Sequence, residues 1–562
     1  MSAERAGVSE ERAMVRAAGQ IGFYTLLSRV TGLVRDMVIG SVFGAGPSAD
    51  AFFVAFRIPN LLRRVVGEGA TAAALVPVVT EYLTSRSRAE AMAMVRALFG
   101  AGIAVLLVLT VAGVVWAAPL ARLFAPGFAP ATLALTVALT RVTFFYLLCI
   151  GLVALAMGVL HALRHFAAPA FAPILLNFAL ILCALLLPAH LTEPVFSLAY
   201  GVVIGGVCQF LWQLPPLARF GVPLVPQWRP RHPAVRRVVF LLLPVLFGAA
   251  VYQFTLVVNT LLASFLAEGS VSALWYASHL FEFPLAIFAT ALSTAALPSL
   301  ATQAQQQDLE GLRTSLGFAL RLVNLVTLPA AAGLAVLSVP ITTVLFFHGA
   351  FNAAHVLTTA AALQGFAAGL WSVAAARLLS SCFYALADTR TPVYAGTIAF
   401  VVNFCFSLLL MGEITAGTNP HGLARLFAGL SHSLAVYDLG VAGLSLAASL
   451  AATVNVMLLS GLLYRRLGQF PWSGCGFSLL WSLGASGTMA VVVHWIARQV
   501  DWLNPQTSFV LRLGVLVLAV TAGAVLFLLL VWRGEREELR ALTGMLPEPL
   551  LRLLPQFFQP GG

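Results

Sequence analysis

The sequence predicts an all-α polytopic membrane protein of about fourteen transmembrane helices: two parallel-repeat six-helix lobes and two extra C-terminal helices. Three observations carry this reading: a scarcity of charge, apolar runs of bilayer length, and a self-similarity between two long stretches of the chain. The chain has 562 residues, 60% of them hydrophobic and only 9% charged. A soluble globular protein carries roughly 25% charged residues, so this composition cannot cover a water-facing surface of such size. Lipid is the alternative solvent, and a helix crosses it with about 20 mainly apolar residues.

Such runs fall near 19–45, 50–84, 91–117, 132–163, 168–188, 194–218, 234–266, 270–304, 309–336, 353–386, 390–411, 440–465, 474–498 and 508–532, with Pro and Gly between or near their ends. Connections on one side hold Arg86, Arg88, Arg164, Arg219, Arg229, Arg231, Arg236, Arg237, Arg313, Arg390, Arg465 and Arg466; the other side holds little beyond Arg122, Arg425 and Arg498. Basic loops mark the cytoplasmic side, which puts both termini in the cytoplasm and requires an even number of spans. The protein is expected in a bacterial inner membrane. The segment 1–18 is polar and of mixed charge, and Arg29 and Arg35 interrupt the first apolar run. The N-terminus therefore reads poorly as a signal peptide and is expected to stay on the chain.

The repeat shows in His161-Ala-Leu followed by Pro169 against Tyr384-Ala-Leu followed by Pro392, at an offset of 223. Ala51-Phe-Phe-Val-Ala55 matches Ala273-Leu-Trp-Tyr-Ala277 at 222, and Ala73-Ala-Leu matches Ala295-Ala-Leu297 at the same offset. Arg219-Phe-Gly221 against Arg466-Leu-Gly468 lies at 247, because the loop at 412–439 is far longer than the one at 189–193. The expected organisation is a cytoplasmic segment 1–18, an N-lobe 19–218, a cytoplasmic loop 219–233, a C-lobe 234–466, two further helices within 474–532 and a cytoplasmic tail 533–562. Parallel repeats of this kind build transporters with the substrate site between the halves.

Charges inside spans are costly and commonly functional. The first two spans concentrate them in Arg29, Arg35, Asp36, Asp50, Arg57, Arg63, Arg64 and Glu68. At 100° per residue, Asp50, Arg57, Arg64 and Glu68 fall within about 40° of one another, while Arg63 points elsewhere. Arg29 and Asp36 share a face one heptad apart, and Arg35 is displaced from it. Arg57, Arg64, Arg141, Arg321 and Arg96 also fit snorkelling to the membrane edge. A surplus of arginine over carboxylate at Arg29, Arg35 and Arg63 points to an anionic visitor, and a planar guanidinium suits bidentate phosphate binding. In the second copy, His279 and Glu282 lie one turn apart, with His279 at the repeat position of Arg57. Asn177, Asn259, Asn403 and Asn455 read as structural. Gly201-xxx-Gly205 reads as a close-packing face.

The net charge of +11 is scattered between apolar runs, which argues against nucleic acid as a partner. The six cysteines all lie in apolar runs with no metal spacing. There is no Walker lysine, no HExxH and no nucleophile elbow. No enzyme activity, cofactor or metal is therefore expected.

Ser28-Arg-Val-Thr-Gly-Leu-Val-Arg-Asp36, Phe43-Gly-Ala-Gly46, Asp50-Ala-Phe-Phe-Val-Ala-Phe56, Pro59-Asn-Leu-Leu-Arg-Arg64 and Glu68-Gly-Ala70 resemble the MurJ (MviN) family of lipid II flippases. The resemblance continues through Pro169-Ala-Phe-Ala-Pro173, Glu282-Phe-Pro284, Leu297-Pro-Ser299 and Thr391-Pro392. It implies the fold of the multidrug/oligosaccharidyl-lipid/polysaccharide exporter superfamily, alternating access of two lobes, and a lipid groove at the last two helices. It implies as substrate the undecaprenyl-diphosphate-linked peptidoglycan precursor, lipid II. Arg29, Arg35 and Arg63 would hold the diphosphate, supported by Asp50 and Glu68; Ser28, Asp36, His279 and Glu282 complete the candidate set. The sequence departs from the family at His279, where an arginine is usual. Membrane lipids, and a coupling ion or the membrane potential, are the remaining expected partners. The competing readings are a flippase for another polyprenyl-diphosphate glycan, such as an O-antigen unit, and a multidrug antiporter of the same superfamily, which would call for acidic cation-binding residues.

Overall fold

The computed structural model describes residues 2–67, 70–223, 225–414, 422–468, 472–532, 534 and 538–540; within these, the backbone alone is described at 2–18, 62–67, 70–73, 243–254, 288–291, 295, 423 and 472–473. Among the described residues the chain is helical, with one isolated β-bridge, Met411 to Asp438.

The elements fall into two series. The first runs α1 (Ser2–Phe43), α2 (Pro47–Gly67), α3 (Ala70–Ser85), α4 (Arg88–Val115), α5 (Ala117–Phe124), α6 (Pro130–Thr143), α7 (Phe145–Ala162), α8 (Ala167–Leu186) and α9 (Phe196–Arg219). The second runs α10 (Pro233–Ala263), α11 (Ser270–Pro284), a π-helical turn Leu285–Ala289, α12 (Thr290–Gln305), α13 (Leu309–Val336), α14 (Ser338–Phe346), α15 (Ala353–Ala367), α16 (Leu370–Ala385), α17 (Arg390–Leu410), α18 (Gly422–Leu434) and α19 (Gly440–Leu467). The two C-terminal helices are α20 (Trp472–Ala497) and α21 (Phe509–Val531).

The repeat is written into the breaks and caps as well as the spans. Ser87 caps α4 by accepting from Glu90 N, and Asp308, at the matching place in the second copy, caps α13 by accepting from Gly311 N. The short helices α5 and α14, which the sequence reading missed, begin at Ala117 and Ser338, in the same register. After α7 and α16 the chain closes in the same way: Arg164 and Ala387 both adopt φ 58°, and the next amides, His165 N and Asp388 N, reach back to Leu160 O and Phe383 O. This is the Schellman closure, which glycine usually supplies. Helix α18, which occupies the long loop, has no counterpart of its length in the first series among the described residues.

Among the described residues, ten helical segments are long and apolar enough to cross a bilayer, and the pair α15 and α16, bent by 42° at their junction, makes an eleventh. The remaining runs read as spans, at 19–45, 50–84 and 234–266, overlap α1, which already begins at Ser2, α2 plus α3, and α10.

The chain forms two compact units. The first comprises Met1–Ser272, His348–Phe351 and Ala416–Ala424. It takes in α10, the repeat counterpart of α1, which packs on α2, α3, α4 and α5. Leu75, Val78, Met94, Leu98, Val159 and Leu217 anchor one buried cluster here. Helix α9 lies against α8 through Gly201 and Gly205, where a Cβ would press on the backbone of Leu180 and Leu176. In lipid, where there is no hydrophobic drive between helices, such close backbone approach supplies the packing energy.

The second unit comprises Ala273–Phe347, Asn352–Thr415 and Arg425–Gly562. Its helix α19 packs on α15, α16 and α17. Ser449 Oγ donates to Gly365 O, and a Cβ at Gly369 would collide with Ser449. The added helices α20 and α21 pack on each other and α20 on α13, around a cluster that includes Leu325, Met489, Val493, Phe527 and Val531.

Candidate functional site

In the first unit, α1 and α8 are joined by one polar network. Asn177, buried in α8, donates its side-chain amide to Ser28 O and Thr31 Oγ1, both at 3.0 Å. Its Oδ1 accepts from Arg35 Nη1 at 3.0 Å. Arg35 Nε and Nη2 both donate to Asp36 Oδ1, at 3.0 and 2.7 Å. Asp36 is 2% exposed, so its charge is held in a dry site by the guanidinium of the residue before it. The helix spacing explains the rest: Ser28, Thr31 and Arg35 lie on one face of α1. Gly32 lies on that face too, where a Cβ would touch Asn177 Nδ2 at 3.6 Å. The sequence put Arg29 and Asp36 on a shared face; the structure pairs Asp36 with Arg35. Arg29 stands exposed beside this network.

On α2, Asp50 of the polar stripe meets the start of α11, the counterpart of α2 in the second copy. Asp50, 3% exposed, accepts from Gly269 N at 2.7 Å, Ser272 N at 2.7 Å and Ser272 Oγ at 2.5 Å. Its carboxylate thus serves the free amides at the N-terminus of α11, which a helix start leaves without intrahelical partners. Gly269 sits at φ 88° with Ala45 O where a Cβ would be, so no other residue fits this turn without strain. Two turns along α2, Arg57 Nη1 donates to Leu256 O at 3.0 Å and to Thr260 Oγ1 on α10. The side chains of Arg63 and Arg64, and Glu68 altogether, lie outside the described residues.

In the second unit, His279 and Glu282 lie on α11 one turn apart, each half-buried. The His279 ring meets Trp275 edge to face, with centroids 4.7 Å apart. Pro284, without an N–H, precedes the π-helical turn at Leu285–Ala289. Single π turns in α-helices often sit at functional positions.

In the second unit, one buried polar centre escaped the sequence reading, and the membrane charge Arg321 finds its partner. Asn324 on α13 accepts from Trp371 Nε1 at 2.7 Å and donates to Ser478 Oγ at 3.2 Å, joining α13, α16 and α20. Arg321, one turn earlier, pairs with Glu538 beyond α21 and stacks over the Phe318 ring at 5.8 Å. The signal for Arg321 was its isolation in an apolar run; its partner stands 217 positions further along the chain, beyond the reach of any local pattern.

The sequence pattern described as "Lipid II flippase MurJ" matches residues 39–516. A Burkholderia cenocepacia protein named lipid II flippase MurJ is 36% identical over 529 residues, covering 92% of this chain and 97% of the relative. A Vibrio cholerae protein named probable lipid II flippase MurJ is 35% identical over 488 residues, covering 84% and 93%. Among solved structures, a lipid II flippase MurJ in an inward closed conformation shares the fold at TM-score 0.73 and 24% identity, over 90% of this chain and 98% of that one. An inward-facing multidrug resistance MATE transporter of the MOP superfamily shares it at TM-score 0.61 and 15% identity, over 80% and 98%.

Proposed function

The chain belongs to the MurJ family of lipid II flippases, and from that membership we propose that it carries lipid II from the cytoplasmic to the outer leaflet of the bacterial inner membrane by alternating access. The match over residues 39–516 is the observation that supports this most directly. In this reading the protein is a transporter rather than an enzyme, crosses the membrane fourteen times and keeps both termini in the cytoplasm. A coupling ion or the membrane potential supplies the drive.

The diphosphate is the most polar part of such a substrate, and arginines are the groups suited to it. Arg29 and Arg63 are proposed to contact it. Arg35 is proposed to act with them from a fixed position: the bonds to Asp36 and Asn177 hold its guanidinium still, leaving the remaining N–H donors for a ligand. Asp50 and Glu68 support the site, Asp50 by setting the start of α11. His279 and Glu282 are the second copy's contribution. Helices α20 and α21, with Leu480, Val491, Trp495 and Val510 exposed, are proposed to serve the polyprenyl tail.

Depletion of the protein in its own cells should trap lipid II in the cytoplasmic leaflet. Accumulation of a different polyprenyl-diphosphate glycan, with lipid II exported normally, would replace this reading by that of another glycan flippase. Orientation is tested by single cysteines at Ser87 and Ser433 in a background without the native thiols. An impermeant thiol reagent should label position 433 in intact cells and spare position 87.

A further inference from the structure

The loop that breaks the repeat register carries a helix of its own, and that helix has three distinct faces. On α18, Ala428 and Ser431 turn toward the protein: Ser431 Oγ accepts from Ile414 N at 2.9 Å and donates to Gly412 O at 3.1 Å. Arg425, Gly429, His432 and Ser433 lie along a polar side, with His432 Nδ1 2.5 Å from Glu413 Oε1. Leu426, Leu430 and Leu434 form a ridge at i, i+4 and i+8 that adjoins the polar side, about 100° around the helix from the line of Arg425, Gly429 and Ser433. Leu426 is 56% and Leu434 41% exposed, and the chain beyond continues with exposed Val436, Tyr437 and Leu439.

The level of this ridge is set by the helices that flank it. Val436 N and Tyr437 N both donate to Leu409 O at 3.1 Å, and Leu439 N to Leu410 O at 3.0 Å. The segment is therefore bonded to the last turn of α17, at the point where α17 ends and α19 begins, and both of those helices are long and apolar enough to span. Helix α17 shows an outward stripe of Tyr394, Ile398, Val401 and Cys405, at i, i+4, i+7 and i+11. Phe404, next to that stripe, meets Phe427 of α18 edge to face at 6.1 Å. The apolar side of α18 thus continues the surface of a spanning helix at the depth where hydrocarbon gives way to headgroups.

We infer that α18 is an interfacial helix: it lies in the plane of the bilayer at the mouth of α17 and α19, with Leu426, Leu430 and Leu434 in the lipid and Arg425, His432 and Ser433 toward headgroups and water. A segregated apolar ridge beside a polar side is what such a position requires, and Tyr437 suits the headgroup level. The occupant of the ridge is lipid, because the ridge runs on from a lipid-facing stripe. A protein partner would have to share it with the bilayer.

The test uses full-length protein without its native thiols, reconstituted in phosphatidylcholine and phosphatidylglycerol vesicles. An NBD fluorophore is placed on single cysteines at Leu426, Leu434, Arg425 and Gly429. Positions 426 and 434 should be quenched several-fold more strongly by lipid bearing a shallow doxyl label than by aqueous iodide, and positions 425 and 429 the reverse. Quenching of all four by iodide would overturn the proposal by placing the helix in water. Protection of 426 and 434 from both quenchers would overturn it equally, by placing the ridge against protein.

Discussion

Asp50 and Ser272 occupy equivalent places in the two copies of the repeat, and they are bonded to each other: Asp50 Oδ1 accepts from both the amide and the hydroxyl of Ser272. A carboxylate that composition marks as a membrane charge is thereby employed as the cap of its counterpart's helix.

Replacement of Asp50 by Ala should therefore act first on stability. It removes a cap, worth about 1 kcal/mol, and leaves the Gly269 and Ser272 amides buried without an acceptor, at about 1–3 kcal/mol each. A total loss of about 3–7 kcal/mol is expected in thermal unfolding. Ser272→Ala should cost about 1 kcal/mol, and the double variant less than the sum, since the two share one interaction. Additive losses would dissolve the pairing.

Arg29 and Arg35 should separate in the same assay. Arg35→Ala removes the guanidinium that donates twice to Asp36, a buried carboxylate, and is expected to cost about 3 kcal/mol, part of which Asp36→Ala should restore in the double variant. Arg29 is exposed, so Arg29→Ala should shift stability by less than about 0.5 kcal/mol. The proposed function requires that this stable variant lose lipid II flipping in reconstituted vesicles. Full flipping by Arg29→Ala would remove it from the diphosphate site.

Ala387 holds φ 58° after α16. Glycine adopts that conformation without the Cβ clash, so Ala387→Gly should stabilise the protein by about 0.5–1 kcal/mol, read as a higher unfolding temperature. A lower one would mean that the methyl group makes packing contacts worth more than the strain.

Asp388, in the connection between α16 and α17, accepts from Thr391 N, Thr391 Oγ1 and Arg390 N, and pairs with Arg466 at 2.6 Å. Its carboxyl is held below the usual carboxylate range, first by the Thr391 amide and then by the Thr391 hydroxyl, with Arg390 N and Arg466 adding to them. A depressed folded value means that the charge stabilises the fold fully above the unfolded carboxylate pKa, near about 3.9, and ceases to do so as pH falls through the folded value. At pH 7, Asp388→Asn should lower stability by about 1 kcal/mol, and the gap to the parent protein should close on acidification below about pH 4. A gap independent of pH would show that the carboxylate's charge contributes nothing.

Much of this protein was legible in its residues alone. Charge scarcity and apolar runs of spanning length leave lipid as the only solvent, because a bilayer imposes length and hydropathy on each helix separately. The repeat was legible because both copies keep the same local signals, such as the closures after Leu163 and Leu386. The motifs between Ser28 and Ala70, with those that follow through Pro392, were enough to suggest the family. Partnership was another matter. That Arg35 takes Asp36 and Asn177, that Asp50 caps α11, that Arg57 reaches Leu256 and that Arg321 finds Glu538 all depend on which helices lie side by side. A hydrogen bond is decided within about 3 Å, whereas these partners, Asp36 aside, stand 142 to 222 positions apart in the chain. The sequence by itself determined where charge must enter the membrane; the tertiary structure decided how those charges are met, because only packing brings donor and acceptor within bonding range.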